Sequence, residues 1–375
     1  MKRTRRLPDR PGRRQFLAGS VALGVTGMAG CLDSDDDEEP TDYEIGQIGS
    51  GRQGRDAPGG TPMAEMPDLS GELTLYSGRH EFLVGDLVRY VEDLYDDFSV
   101  EVRYGGSTDL VNQIATEGDA TPADVFYSVN AGSLGALVEE GRTRELPEDL
   151  RTMVREEFHT DQWVGTSGRA RTVPYNTDAL SSGDLSDDIV AYADDPPGDL
   201  GWAPSYGSCQ AFVTAMRILE GESATRQWLQ GVVDSGIAAY ADEFEVCRAI
   251  ADGEIDAGFT NHYYIQRVID GSPGAPIDTA FTNGDAGAMF NVAGAAVTDA
   301  ASDAELAENF VRHLLSAEAQ DYFARATFEY PLIPDVDPIG ELPTIDELDV
   351  PDLDLTKLSD LEPTIDLMRE VGIDV

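Results

Sequence analysis

The chain is 375 residues long and carries 71 acidic against 26 basic residues, a formal charge of −45 at neutral pH. So large an acid excess excludes a nucleic-acid binder, which needs a basic face. It suits a chain working in concentrated salt, where repulsion is screened within a few ångströms, as in a halophilic archaeon. Most carboxylates are therefore read as solvated surface rather than as catalytic pairs.

Residues 1–30 read as a twin-arginine lipoprotein signal: Arg13-Arg14-Gln15-Phe16-Leu17 precedes the apolar run Phe16–Ala29, which is too short to span a bilayer. Small residues then lead into Cys31, expected to be the first mature residue and to carry the lipid, with an uncleaved N-terminal anchor as the alternative. Seven of the 26 basic residues lie in the first thirty positions against one acid, which leaves 19 basic and 70 acidic residues and a net charge of −51. Residues 31–68, opening with Asp33-Ser34-Asp35-Asp36-Asp37-Glu38-Glu39-Pro40, offer almost nothing to bury and read as a solvated tether, with folding starting near Leu69. Gly49-Ser50-Gly51-Arg52-Gln53-Gly54 matches a dinucleotide-binding spacing, but no strand precedes it and no helix follows, so it is read as chance.

The remaining ~300 residues are enough for two cores. From Glu72 short β-rich runs alternate with amphipathic segments. The strand Leu73-Thr74-Leu75-Tyr76 leads to a helix with Leu83, Leu87, Val88, Val91 and Leu94 on one face; then come Val100–Tyr104, a helix from Asp109, the strand Asp124–Tyr127 and a helix through Glu140. The rhythm resumes with strands at Thr172–Tyr175 and Leu200–Ala203, helices at Ala211–Leu219 and Thr225–Val233, and strands near Ala238–Tyr240 and Ala257–Thr260. Repeated βα units predict an α/β fold with open, mostly parallel sheets, whose ligands sit at loops beyond the strands' carboxyl ends. Those loops are Ser77–Glu81, Gly105–Asp109, Ser128–Asn130, Pro204–Cys209, Asp242–Glu245 and Asn261–Tyr264.

The loops lack a Gly-x-Ser-x-Gly elbow, a His-Glu-x-x-His pair and a Cys-x-x-Cys pair. They offer instead His80, Tyr175 and the adjacent Tyr263 and Tyr264. Phenolate and carboxylate oxygens are hard, anionic donors that favour a hard trivalent cation, and tyrosinate also holds ferric iron in haem proteins. His80 would add a nitrogen. Tyr-Tyr pairs also pack cores, and Tyr175, on an alternating strand, fits a half-buried packing role equally well.

From Leu73 to the C-terminus the chain resembles the periplasmic ferric-ion-binding proteins, the solute receptors of iron(III) ABC importers. The resemblance rests on Leu75-Tyr76-Ser77-Gly78-Arg79-His80-Glu81, Tyr104-Gly105-Gly106-Ser107, Pro122–Tyr127, Gly168-Arg169-Ala170-Arg171, Tyr175-Asn176-Thr177-Asp178 and Asn261-His262-Tyr263-Tyr264, in that order. It implies a two-lobed clamshell of type II, with residues 69–172 and 280–330 in lobe 1 and 173–279 and 331–375 in lobe 2.

The resemblance also implies a site. Tyr263 and Tyr264 match the two adjacent tyrosine ligands, Tyr175 a third tyrosine, and His80 the histidine of the other lobe. Glu81 stands where some members carry a further tyrosine and is a candidate oxygen ligand or helix cap. The glutamate ligand of other members is Val129 here, which favours the tyrosine-rich site, with a carbonate against Arg169 or Arg171. Where the family uses a synergistic phosphate, its loops match Tyr206-Gly207-Ser208 and Asn261, with N–H groups at a helix start facing the anion. The asparagine pair of that variant is Asp242-Glu243 here, and two carboxylates oppose a phosphate. Cys209 and Cys247 would fall on neighbouring cleft loops, close enough for a candidate disulfide.

The expected mechanism is capture of Fe(III) by closure of the lobes, then delivery to a membrane permease powered by a separate ATPase, by a lipid-anchored monomer on the outer face of the cytoplasmic membrane. The same clamshell could take thiamine, a polyamine or an organic anion. An anchored hydrolase built on His80 and a nearby acid lacks a nucleophile or metal-bound water in this sequence.

Overall fold

The computed structural model describes Ile48 and residues 57–375. The signal, Cys31 and most of the tether lie outside the described residues. The first half opens with β1 (Gly71–Ser77), α1 (Glu81–Leu94), β2 (Phe98–Tyr104), α2 (Ser107–Glu117), β3 (Val125–Ser128), α3 (Ala131–Glu139), the single turn α4 (Glu148–Arg151) and the long β4 (Val164–Asn176). β5 (Leu200–Trp202), α5 (Gly207–Leu219), α6 (Glu222–Asp234), β6 (Ala238–Ala239), α7 (Glu243–Ala251), β7 (Ala257–Gly258), β8 (Thr260–Asn261), α8 (His262–Gly271) and β9 (Ile277–Ala280) follow. The chain ends with β10 (Phe290–Val297), α9 (Ala304–His313), α10 (Ala317–Tyr322), β11 (Tyr330–Pro331) and α11 (Glu362–Glu370).

The sheet runs β2-β1-β3-β10-β4-β7-β5-β6. The β2-β1-β3 pairings are parallel, as right-handed βα crossovers produce, and β10 enters antiparallel between β3 and β4. β4 joins the lobes. Its residues 164–170 pair with β10, whereas Val173–Asn176 pair with β9 and Tyr175 with β7. A strand this long is legible from sequence only at its Thr172–Tyr175 end, because Gly165, Ser167 and Gly168 hide the rest.

Burial divides as the pairing does. Leu73, Leu75, Val84, Leu87 and Val91 pack with Phe126, Val292 and Phe310 in the first lobe's core. In the second lobe Trp202, Phe212, Trp228 and Phe259 form one cluster, and Val246, Ile250, Tyr264 and Ile265 another. The fold is the expected α/β two-lobed clamshell of type II.

Two expected boundaries move, and one candidate pairing does not form. Packed chain begins before Leu69, because Met63 is buried in the first core and its N–H donates to Glu318 Oε2 at 2.8 Å. Two methionines among small polar residues were too faint a signal to read as an anchor. Leu332, Ile333 and Val336 belong to the first core, so the tail joins lobe 2 only from about Leu358. Cys209 and Cys247 are separate buried thiols rather than a disulfide, each enclosed in its own cluster.

Candidate metal centre

A cleft of about 390 Å³ is lined from both lobes. On the lobe 2 wall Tyr206 is the residue ahead of α5, and Tyr263 and Tyr264 occupy the first turn of α8 behind Asn261. The Tyr206 and Tyr264 hydroxyls are 2.6 Å apart, and the Tyr263 and Tyr264 ring centres lie 4.2 Å apart. Arg267 lies one helical turn on, so its guanidinium covers both rings, 4.9 Å from the centre of Tyr263 and 5.5 Å from that of Tyr264. Burial pushes the Tyr263 phenol up to about 12, although Arg169 draws it down. Burial, then the neighbouring phenol of Tyr263, raises Tyr264 further. Both phenols are therefore protonated at neutral pH, and a bound cation would have to drive their ionisation.

Behind these phenols sits a buried acid. Glu243 accepts from Ser208 Oγ at 2.6 Å, from the Asn261 N–H at 3.0 Å and from the Arg171 guanidinium. Arg171 also donates to the Phe259 carbonyl at 2.6 Å and stacks on Phe212, so it is committed to the interior and does not line the cleft. Its expected role as a clamp for a free anion is corrected accordingly. Arg169 does line the cleft, donating to the Val129 carbonyl. Among the described residues neither Arg169 nor Arg267 forms an ion pair with a carboxylate.

The lobe 1 wall is sparser. His80 precedes α1, is exposed at the cleft mouth and stacks on Phe82 at 5.5 Å between ring centres. Glu81 turns away to solvent, with Arg89 at 3.8 Å as its nearest cation. Below the mouth Arg79 is fully buried, bonding Ser167 Oγ at 2.6 Å and Glu329 Oε2 at 2.5 Å. Burial opposes the charge on Glu329, but Arg79 outweighs it and holds that carboxyl below its usual range.

Tyr175 is not brought to the cleft. Its hydroxyl donates to Asp278 Oδ2 at 3.3 Å on β9, because β4 by then runs inside the lobe 2 sheet. Burial, then Asp278, raises its phenol. The third converging tyrosine is Tyr206, which sequence reasoning had placed only in an anion loop. No local signal could pair it with a residue 58 positions away. Arg267 was legible in principle, at i+3 and i+4 from the two tyrosines. His262 and His313 are fully buried, and burial lowers both to about 4. No group of three or more His, Cys, Asp or Glu side chains gathers among the described residues, so the hard donors that do converge are phenols.

Two α/β lobes around a cargo cleft, joined by strands that cross between them, define a periplasmic-type solute-binding protein. The chain belongs to the bacterial extracellular solute-binding protein family, whose sequence model matches residues 87–321. The major ferric iron-binding protein of Neisseria meningitidis is 30% identical over 321 residues, which cover 83% of this chain and 95% of that protein. Iron-bound HitA from Pseudomonas aeruginosa superposes with a TM-score of 0.71 at 27% identity, covering 80% of this chain and 99% of that one. The Trichodesmium protein IdiA (FutA), solved with iron and citrate ligands, also reaches 0.71, at 25% identity, covering 81% of this chain and all of that one. These relatives are solute-binding transport proteins, not enzymes.

Proposed function

We propose that this chain is the ferric-iron receptor of an ABC importer, exported by the twin-arginine route and held by lipid at Cys31 on the outer face of the cytoplasmic membrane. The observation that carries the reading is the convergence of the Tyr206, Tyr263 and Tyr264 phenols in one interlobe cleft. Three phenolates neutralise one Fe(III), and hard oxygen donors of this kind favour it over softer ions. His80 faces them from the opposite wall and would complete the coordination when the lobes close. Arg169 and Arg267 line the cleft without an ion pair to a carboxylate among the described residues, so a carbonate or citrate arriving with the iron would lie against them. The closed, monomeric receptor would then deliver iron to a permease driven by a separate ATPase.

The test is a visible titration of the mature chain with ferric citrate in high salt, beside a Tyr263→Phe/Tyr264→Phe double variant. A saturable tyrosinate-to-iron charge-transfer band at about one iron per chain is expected, and its absence from the double variant. A folded wild-type chain without the band would end the iron reading and leave a clamshell receptor for an organic solute.

A further inference from the structure

Glu243 has no part in the coordination proposed above, yet its side chain is completely buried. One oxygen accepts from Ser208 Oγ and from Arg171, and the other accepts the backbone N–H of Asn261. Ser208 lies in the first turn of α5, two residues after Tyr206, and Asn261 immediately precedes α8, two residues before Tyr263. A single carboxylate thus ties together the N-termini of the two helices that carry all three phenols. A hydroxyl, a backbone N–H at a helix start and a guanidinium are the donors that would hold a free oxyanion. The halophilic acid excess does not account for this carboxylate, since surface acids need no buried arginine and burying an ion pair carries a large desolvation cost.

We propose that Glu243 is a built-in anion. Resting on the ferric reading of the same cleft, the proposal is that its carboxylate fills the oxyanion cradle between α5 and α8. The site then needs no free phosphate or carbonate at that place, and Tyr206 is held in position against Tyr263 and Tyr264. Glu243 does not touch the cargo; it is a positioning residue. Removing it leaves Arg171 as a buried, uncompensated cation beside a carboxylate-sized void, which a small external anion can enter.

The test follows the tyrosinate band of the mature chain in concentrated chloride freed of phosphate and bicarbonate. Iron is supplied as its nitrilotriacetate complex, too bulky for the cradle. Wild type is expected to bind with the same midpoint whether or not tens of millimolar phosphate is present. Glu243→Ala is expected to bind iron about 10–100-fold more weakly, as loss of outer partners of a metal site commonly does. Tens of millimolar formate or phosphate should restore most of that loss. Glu243→Gln, whose amide fills the space without the charge, should stay weak and show no recovery.

A wild-type band that requires added phosphate overturns the proposal while leaving the ferric reading intact. So does a Glu243→Ala variant that binds like wild type, or one with native near-ultraviolet dichroism that neither anion rescues. Should Glu243→Ala not fold, wild-type affinity in Glu243→Gln overturns it instead. No wild-type band in any buffer removes the ferric reading itself, and this proposal with it.

Discussion

The two walls of the cleft are built to different standards. On lobe 2, three phenols are set at the starts of two helices, with Glu243 and Arg171 buried behind them and Arg267 laid across two of the rings. On lobe 1 the facing donor is His80, exposed at a helix start beside Phe82, which is 76% exposed. A wall whose donors are fixed before cargo arrives loses little freedom on binding, whereas a mobile donor must be ordered at that moment. In the proposed reading, cargo lands on lobe 2 and lobe 1 supplies the closure.

The largest effect that can break this contrast is that of pH. Burial raises the Tyr263 and Tyr264 phenols above their ordinary value, so at neutral pH these two are protonated, and each phenol that becomes a ligand must lose its proton. Iron affinity should therefore rise with pH and fall as acid is added, by up to about a thousandfold per pH unit if three protons leave. Competition against a chelator of known proton uptake measures this slope. A flat profile would mean that the phenols are not ionised by the cargo. The smallest effect belongs to the sparse wall: His80→Ala should weaken binding by no more than about tenfold, roughly 1.4 kcal/mol, and mainly by faster iron release in stopped-flow exchange. A loss as great as that of the Tyr263→Phe/Tyr264→Phe variant would erase the distinction between the walls.

How far the sequence revealed each wall follows from the range of the interactions. The βα rhythm was legible because hydrophobic periodicity is local: Leu87, Val88 and Val91 announce α1, and Leu73 and Leu75 announce β1. Tyr263 and Tyr264 were legible because both ligand candidates sit side by side at one helix start. Tyr206 was not, since its partner lies across the lobe, and Tyr175 stood in for it because an alternating strand does not say which end faces a cleft. The resemblance set Glu243 beside an anion loop, but its buried role was not legible, because only burial separates it from solvated neighbours. The return of residues 332–336 to the first core was equally hidden, because a short apolar run does not name the lobe that covers it.

The central claim is that Tyr206, together with Tyr263 and Tyr264, holds the cargo, and that Tyr175 does not. It is tested most directly by iron titration of Tyr206→Phe and Tyr175→Phe side by side, read at the charge-transfer band. Loss of one phenolate leaves the iron a stronger electron acceptor. The Tyr206→Phe band should therefore move to longer wavelength with weaker binding, and Tyr175→Phe should match wild type in both. A shifted, weakened Tyr175→Phe beside an unchanged Tyr206→Phe would contradict the account.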